Sequence, residues 1–114
     1  MTLHYTQAVV ILRAPPVVDR YGNTTSERDW DRATRTTVRR LSVQPDQSTE
    51  DSGDRPVVVS GWRLITRRGV DVDLLPTDRV VALGRLLDTD GDVARYVVGG
   101  RHHHTEARLK EVIG

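Results

Sequence analysis

The sequence predicts an all-β protein, built as a small and mainly antiparallel barrel of about six strands. Its apolar residues are mostly Val and Leu, and Phe is absent. Val, which is branched at Cβ, suits the pleated surface of a sheet. Short apolar or alternating runs are separated by Gly and Pro, a spacing typical of a small barrel or sandwich. At 114 residues, the chain is predicted to form a single domain, residues 1–114.

Several extended segments follow one another along the chain. They are residues 3–13, 34–43, 56–67, 79–83, 85–88, 92–98 and 101–112. Pro15 and Pro16 end the first segment because proline cannot donate to a ladder. Residues 17–30 form a polar connection with the capping signature of a short helical turn. The last segment alternates apolar and charged residues, which favours a strand, and a short C-terminal helix over 105–113 is the alternative.

The segment between the second and third predicted strands is the most unusual part of the sequence. Residues 44–54 contain no side chain that could anchor a core, and apolar residues return abruptly at residue 56. The sequence therefore predicts a long loop over 44–55. A loop of this length is uncommon in a compact small domain and is usually functional or disordered. We expect the two strands to act as a scaffold that presents this loop.

Composition excludes several classes of function. The chain has 17 basic and 16 acidic residues, so it lacks the overall positive field of a nucleic-acid-binding domain. It has no Cys, and hence no disulfide framework or thiolate chemistry. The longest aliphatic run is far shorter than the roughly 20 residues that span a bilayer, and the N-terminus lacks a signal-peptide pattern. We expect a protein that acts without membrane insertion or export.

Three consecutive histidines are the most conspicuous chemical feature. On a regular strand, His102 and His104 would share a face with Glu106, and three such ligands are what a catalytic zinc site requires. The alternative is a polar strand edge that binds no metal. We predict no metal, no cofactor and no catalytic residues. A metal-dependent enzyme that uses His102 and His104 is the rival interpretation from another functional class.

A second cluster consists of Arg63, Arg67 and Arg68. Three arginines give a weak, salt-dependent attraction to phosphate that does not read sequence. They are equally suited to pairing with acids of a neighbouring subunit, such as those of residues 46–54. The sequence leaves both a DNA-facing role and an inter-subunit role open.

Several short motifs occur in a fixed order along nearly the whole chain. They are residues 19–23, Trp30, 35–38, the Gln44-Pro45 step into a Ser/Asp-rich segment, 60–62, 77–80, 90–92 and 103–109. In order and spacing they resemble the head-to-tail stopper (head-closure) proteins of long-tailed phages that infect actinobacteria. The order of the motifs carries this resemblance, and each motif alone is unspecific.

The resemblance implies a non-enzymatic virion protein of the phage neck, assembled in the host cytoplasm. Its β-barrel subunits would form a ring of six or twelve copies below the portal and adaptor. Packaged double-stranded DNA would pass through the lumen without sequence recognition, and the tail terminator and tail tube would dock below. A tail terminator or another head–tail joining protein is the nearest alternative within the same machinery.

The resemblance also implies that the loop between the second and third strands projects into the lumen and helps to retain DNA. Carried over by position, the channel or gating residues are Gln44, Asp46, Gln47, Ser48, Thr49, Glu50, Asp51, Ser52 and Asp54. Acidic side chains at this place would repel phosphates, so that DNA does not adhere to the loop that blocks it.

Overall fold

The structure, a computed structural model, describes residues 4–52 and 55–112, with side chains for 4–46 and 61–112. The described elements are β1 Gln7–Arg13, β2 Pro16–Val18, β3 Thr24–Arg28, a 3-10 turn Trp30–Arg32, β4 Thr34–Ser52, β5 Arg55–Thr66, β6 Arg79–Ala82, β7 Arg85–Thr89, β8 Ala94–Val98 and β9 Arg101–Glu111. Each strand pairing between these elements is antiparallel, which confirms the predicted all-β class. Within the described ranges, no helix is long and apolar enough to cross a bilayer.

Six strands close into a barrel. They follow the order β5-β4-β1-β6-β7-β9, and β9 pairs back with β5 to complete the circle. Strand β8 follows β7 along the same side of β9, so that β7 and β8 together form a long hairpin with β9. The two residues at the end of this hairpin, Gly99 and Gly100, both have positive φ, as a type I′ turn requires.

The barrel interior is filled by aliphatic side chains from every wall strand. The buried residues are Val9, Ile11, Leu41, Val43, Leu64, Val72, Leu74, Val80, Ala82, Leu87, Ala107 and Leu109. Two of them, Val72 and Leu74, come from the connection between β5 and β6 rather than from a strand. A thin Val- and Leu-rich core therefore supports the fold, as the composition predicts.

The connection between β5 and β6 is held against the barrel by arginine–aspartate pairs. Arg13 of β1 donates to Asp78 at 2.8 Å and to Asp73 at 3.0 Å, and Arg95 of β8 donates to Asp71 at 3.1 Å. Asp78 is only 2% exposed. The pKa of Arg13 is raised above the ordinary arginine value. The hydrogen bonds from Arg13 to Asp78 make the largest contribution, and those to Asp73 the next largest.

The N-terminal third differs from the prediction in detail. Strand β1 begins at Gln7, residues 4–6 are not strand, and residue 3 lies outside the described residues. The predicted polar connection contains a small two-stranded sheet, in which Pro16–Val18 pairs with Thr24–Arg28. The turn signal at Gly22, whose φ is +80°, joins these two strands. A helical turn is present, but as the 3-10 turn Trp30–Arg32.

The prediction of a long loop over 44–55 was wrong. Strand β4 continues to Ser52, β5 begins at Arg55, and the two are paired in register from Leu41↔Thr66 to Ser52↔Arg55. Gly53 and Asp54 lie outside the described residues. Ladder hydrogen bonds satisfy backbone groups whatever the side chains are, so a polar segment can extend a hairpin when its partner strand is favourable.

Candidate functional site

The distal part of the β4–β5 hairpin projects from the barrel. We call residues 47–52 and 55–60 the arm. Pairing of β4 with β1 reaches Leu41, and pairing of β5 with β9 ends at Trp62. Beyond these points, within the described residues, the strands of the arm pair with each other and with no third strand.

The dimensions of the molecule reflect this projection. Its radius of gyration is 16.1 Å, and its longest extent is 52 Å. A compact domain of this length has a radius of gyration of about 13 Å. An isolated two-stranded hairpin is at best marginally stable in water. The arm therefore depends on how firmly its root is fixed to the barrel.

The root of the arm is fixed by an ionic network around Asp46. Arg63 of β5 donates to the Asp46 carboxylate at 3.1 Å, and Arg108 of β9 donates to it at 2.8 Å. Arg63 also donates to Glu106 of β9 at 3.1 Å. The hydrogen bond to Asp46 is the main reason why the pKa of Arg63 is raised. Three neighbouring strands are thus tied together where the arm begins.

Glu106 is held ionised by the same network. Burial raises the pKa of its carboxyl group, but hydrogen bonds from His104 and Arg63 outweigh that effect, and the net pKa lies below the ordinary value. The His104 Nε2 to Glu106 Oε2 distance is 2.7 Å. Tyr96 stacks on the His104 ring, with ring centroids 4.6 Å apart. The outer face of β8, β9 and β5 beside the root is therefore a continuous polar and aromatic cluster.

Gly61 permits the close approach of strands at the root. It pairs with Asp46 across the hairpin. A Cβ atom at Gly61 would lie 2.8 Å from the carbonyl oxygen of Leu109 on β9, closer than real Cβ contacts. Since the obstacle is backbone, a side chain cannot be accommodated by a simple rotamer change. Gly61 is therefore required by packing rather than by backbone conformation.

The nine predicted channel residues divide between two environments. Gln44 and Asp46 belong to the root: Gln44 donates to Ser42 at 3.1 Å, and Asp46 is engaged by two arginines. Residues 47–52 lie on the β4 strand of the arm, and their side chains are outside the described set. Asp54 also lies outside the described residues. A channel-facing role for these residues remains a prediction.

The three predicted arginines do not act as one group. Arg63 is occupied by acids of its own subunit. Arg67 has a buried Nε atom that, within the described part of the chain, has no acceptor. Arg68 is exposed and lines a cleft of about 260 Å³ together with His103. A DNA-facing or inter-subunit role remains a prediction for them.

The histidine run contains a β-bulge. Tyr96 pairs with His104, but Val97 pairs with His102, so His103 is an extra residue in β9. A bulge bends the strand and re-aims its side chains. The regular alternation that would place His102 and His104 on one face is interrupted between them. Sequence spacing alone could not show this.

The contacts of the two histidines differ accordingly. His102 Nε2 lies 3.1 Å from the carbonyl oxygen of Val70, whereas His104 Nε2 contacts Glu106. The geometry therefore does not bring His102, His104 and Glu106 together as the rival interpretation, a metal-dependent enzyme, would require. Among the residues that the structure describes, no group of three or more His, Asp or Glu side chains is placed to hold a metal ion.

Sequence reasoning missed Arg108, which contributes the shortest contact to Asp46 and also lies 3.6 Å from Asp90. No local signal could have revealed this pair, because Asp46 and Arg108 are 62 positions apart and meet only through barrel closure. The strand pairing of β5 with β9 brings them together.

No protein-family model matches the sequence, and no curated protein matches it either. A chain in the solved virion of a native gene transfer agent particle has a similar structure, with a TM-score of 0.57. The two chains are 19% identical, and the similarity covers 94% of each. At this level of identity, the likeness shows a shared fold over nearly the full length of both chains.

Proposed function

We propose that this protein is a structural component of a phage-like virion, and more specifically the ring-forming head-to-tail stopper of the neck. In this role it closes the DNA-filled head below the portal and adaptor and offers a docking surface to the tail. The observation that carries the proposal is the full-length fold similarity to a chain of a virion particle. The order of sequence motifs supports the assignment to the stopper position.

The arm gives this proposal a physical mechanism. It carries Glu50 and Asp51 on β4, and it extends the molecule well beyond the barrel. In a ring of six or twelve subunits, arms that face the lumen would narrow the conduit. Surface charges are screened over about 8 Å at physiological salt, so the acids act on phosphates only near contact. They keep DNA from adhering, while the bulk of the arms blocks it sterically.

The root network refines the set of channel-facing residues. The charge of Asp46 is shared with Arg63 and Arg108 of the same subunit. Asp46 therefore anchors the arm, and we assign the channel-facing role to residues 47–54. A paired two-stranded arm is also stiffer than an unpaired loop, which suits a part that must resist the pressure of packaged DNA.

Truncation of the arm tests this function. Residues 47–60 are replaced by Asn-Gly, a dipeptide that forms two-residue hairpin turns, so that Asp46 and Gly61 remain paired. In the virus that encodes the protein, we expect heads to fill and then lose DNA, measured as nuclease-sensitive genome in purified heads. Heads that retain their DNA would contradict the role of the arm.

A matched control separates loss of the arm from a change in its side chains. Ser48→Ala with Thr49→Ala keeps the arm together with Glu50 and Asp51, and we expect this variant to retain DNA. Depletion of the whole protein gives the second control. If heads then lose their DNA and accumulate beside unattached tails, the neck position is supported. If filled heads accumulate beside tails of irregular length, a tail terminator is the better assignment.

A further inference from the structure

We propose that a basic cleft at the end of the barrel opposite the arm receives the arm of a second copy of this chain. The inference rests on the proposed ring, because it names the contact that joins one subunit to the next. The cleft has a volume of about 420 Å³. Its lining includes Ala14, Pro15, Arg28, Arg32, Thr34 and Leu75.

Two arginines of the cleft, Arg28 and Arg32, carry positive charge that no described acid neutralises by an ion pair. Within the described residues, neither Arg28 nor Arg32 forms an ion pair, whereas Arg13, which also lines the cleft, is occupied by Asp73 and Asp78. The Nε atom of Arg28 is buried and has no acceptor among the described residues. A buried donor without a partner is costly, so this cleft favours an incoming carboxylate.

The arm has the complementary chemistry. Its β4 strand carries Glu50 and Asp51, and its β5 strand carries the apolar run Val57, Val58 and Val59. The cleft combines its arginines with an apolar wall that consists of three residues. They are Ala14, Pro15 and Leu75, of which Leu75 is 42% exposed. The acids and valines of the arm thus match the arginines and aliphatic surface of the cleft.

The geometry requires the two partners to come from different subunits. Thr34, the first residue of β4, lines the cleft, and the arm contains the last residues of the same strand. These 19 residues run from Thr34 at the cleft to Ser52 in the arm, in a molecule whose longest extent is 52 Å. Because β4 is one paired strand, the arm cannot fold back to its own cleft. A contact between the arm of one copy and the cleft of another is head-to-tail.

Head-to-tail contacts have a defined consequence for assembly. They generate a closed ring when the rotations from each subunit to the next add up to a full circle. Otherwise they generate an open filament. Docking also gives the two-stranded arm the additional packing that it lacks in the single subunit. In the ring, each arm lines the conduit along its length and ends on the neighbouring subunit.

Complementary charge reversal tests the contact. The cleft variant is Arg28→Glu with Arg32→Glu, and the arm variant is Glu50→Arg with Asp51→Arg. We expect each alone to associate at least about 100-fold more weakly than the parent, because like charges then face each other. Mixed in equal amounts, the two variants restore both types of contact and assemble as an alternating ring, measured by native mass spectrometry.

The outcomes that overturn the inference are equally clear. If both variants assemble like the parent, or if two folded variants fail to assemble when mixed, the cleft is not the acceptor. Circular dichroism confirms folding, and the exposed Arg32→Glu alone replaces the cleft variant if Arg28→Glu does not fold. Loss of DNA binding by the cleft variant with unchanged assembly would assign the cleft to phosphate instead.

If the parent protein associates too weakly for native mass spectrometry, disulfide cross-linking tests the same contact. The chain has no Cys, so Asp51→Cys with Thr77→Cys introduces one pair, since Thr77 also lines the cleft. We expect mild oxidation to give a ladder of linked oligomers. The control pairs Asp51→Cys with Asp92→Cys, at an exposed position outside the cleft. Equal ladders from both proteins overturn the inference, while the DNA-retention test of the arm still decides the stopper role separately.

Discussion

Strands β4 and β5 each have two halves in contrasting environments. In the barrel half, Leu41, Val43 and Leu64 are at most 2% exposed, and the strands pair with β1 and β9 as well as with each other. In the arm half, within the described residues, the two strands pair only with each other. The same hairpin is therefore part of a core at one end and a projecting element at the other.

This difference shows what determines strand formation in each half. In the barrel half, burial of apolar side chains stabilises the strands. The alternation of apolar and polar residues allows these strands to be predicted from the sequence. In the arm half, β4 is polar, and its extended conformation depends on pairing with β5 across the hairpin. Among the described strand pairings, the arm is thus stabilised only by the pairing of its own two strands.

The largest expected effect lies in the barrel half. Leu64 is fully buried, so Leu64→Ala should lower the free energy of unfolding by about 2–5 kcal/mol through lost burial and a cavity. Leu86→Ala is the matched control, because Leu86 is 41% exposed and should cost far less. Urea unfolding monitored by circular dichroism measures both. Equal losses would mean that Leu64 is not part of the core.

The next effect lies at the boundary between the two halves. Gly61→Ala places a methyl group against the Leu109 carbonyl oxygen and should destabilise the subunit by about 1–3 kcal/mol. Ser26→Ala, at an exposed position on β3, should change stability by less than about 0.5 kcal/mol. Urea unfolding of the two variants compares the positions directly. A neutral Gly61→Ala would show that β5 and β9 are less closely packed at the root.

A smaller effect concerns the ionic network at the root and depends on pH. The pKa of Glu106 is lowered in the folded protein, so its ionised form stabilises the fold above the unfolded pKa. That contribution is lost as the pH falls through the folded value. Glu106→Gln should therefore be less stable than the parent at pH 7, and the difference should shrink below about pH 4. If the stability difference between the parent and Glu106→Gln were the same at both pH values, ionisation of Glu106 would not contribute to folding stability.

The smallest effect on stability is expected for removal of the arm. Replacing residues 47–60 by Asn-Gly leaves every barrel pairing in place, and shortening a connection changes closure entropy only slightly. The free energy of unfolding should change by less than about 1 kcal/mol. A larger loss in chemical unfolding would show that the arm contributes to the core, and the contrast between the two halves would fail.

The barrel was predictable where apolar alternation was strong. The predicted segments 79–83 and 101–112 correspond to Arg79–Ala82 and Arg101–Glu111. The paired arm was not predicted because most of residues 47–52 have a low strand propensity, whereas strand pairing depends on the partner strand as well. In the sequence, a Gly-Asp dipeptide between two extended segments is a hairpin signal.

The candidate site was less predictable than the fold. The bulge at His103 separates the side chains of His102 and His104, which a regular strand would place on one face. No residue pattern in the sequence predicts this bulge. The network around Asp46 and the cleft at Arg28 and Arg32 combine residues from distant segments. They become visible only when the order of strands in the barrel is known.

The position of the arm in an assembled neck tests the central claim most directly. A cryo-electron microscopy reconstruction of the particle that contains this protein would show it. We expect a closed ring in which each arm lies at the inner rim and ends against Arg28 and Arg32 of the next subunit. Arms that lie on the outer flank of their own subunit, away from the symmetry axis, would contradict both the channel-facing role and the subunit contact.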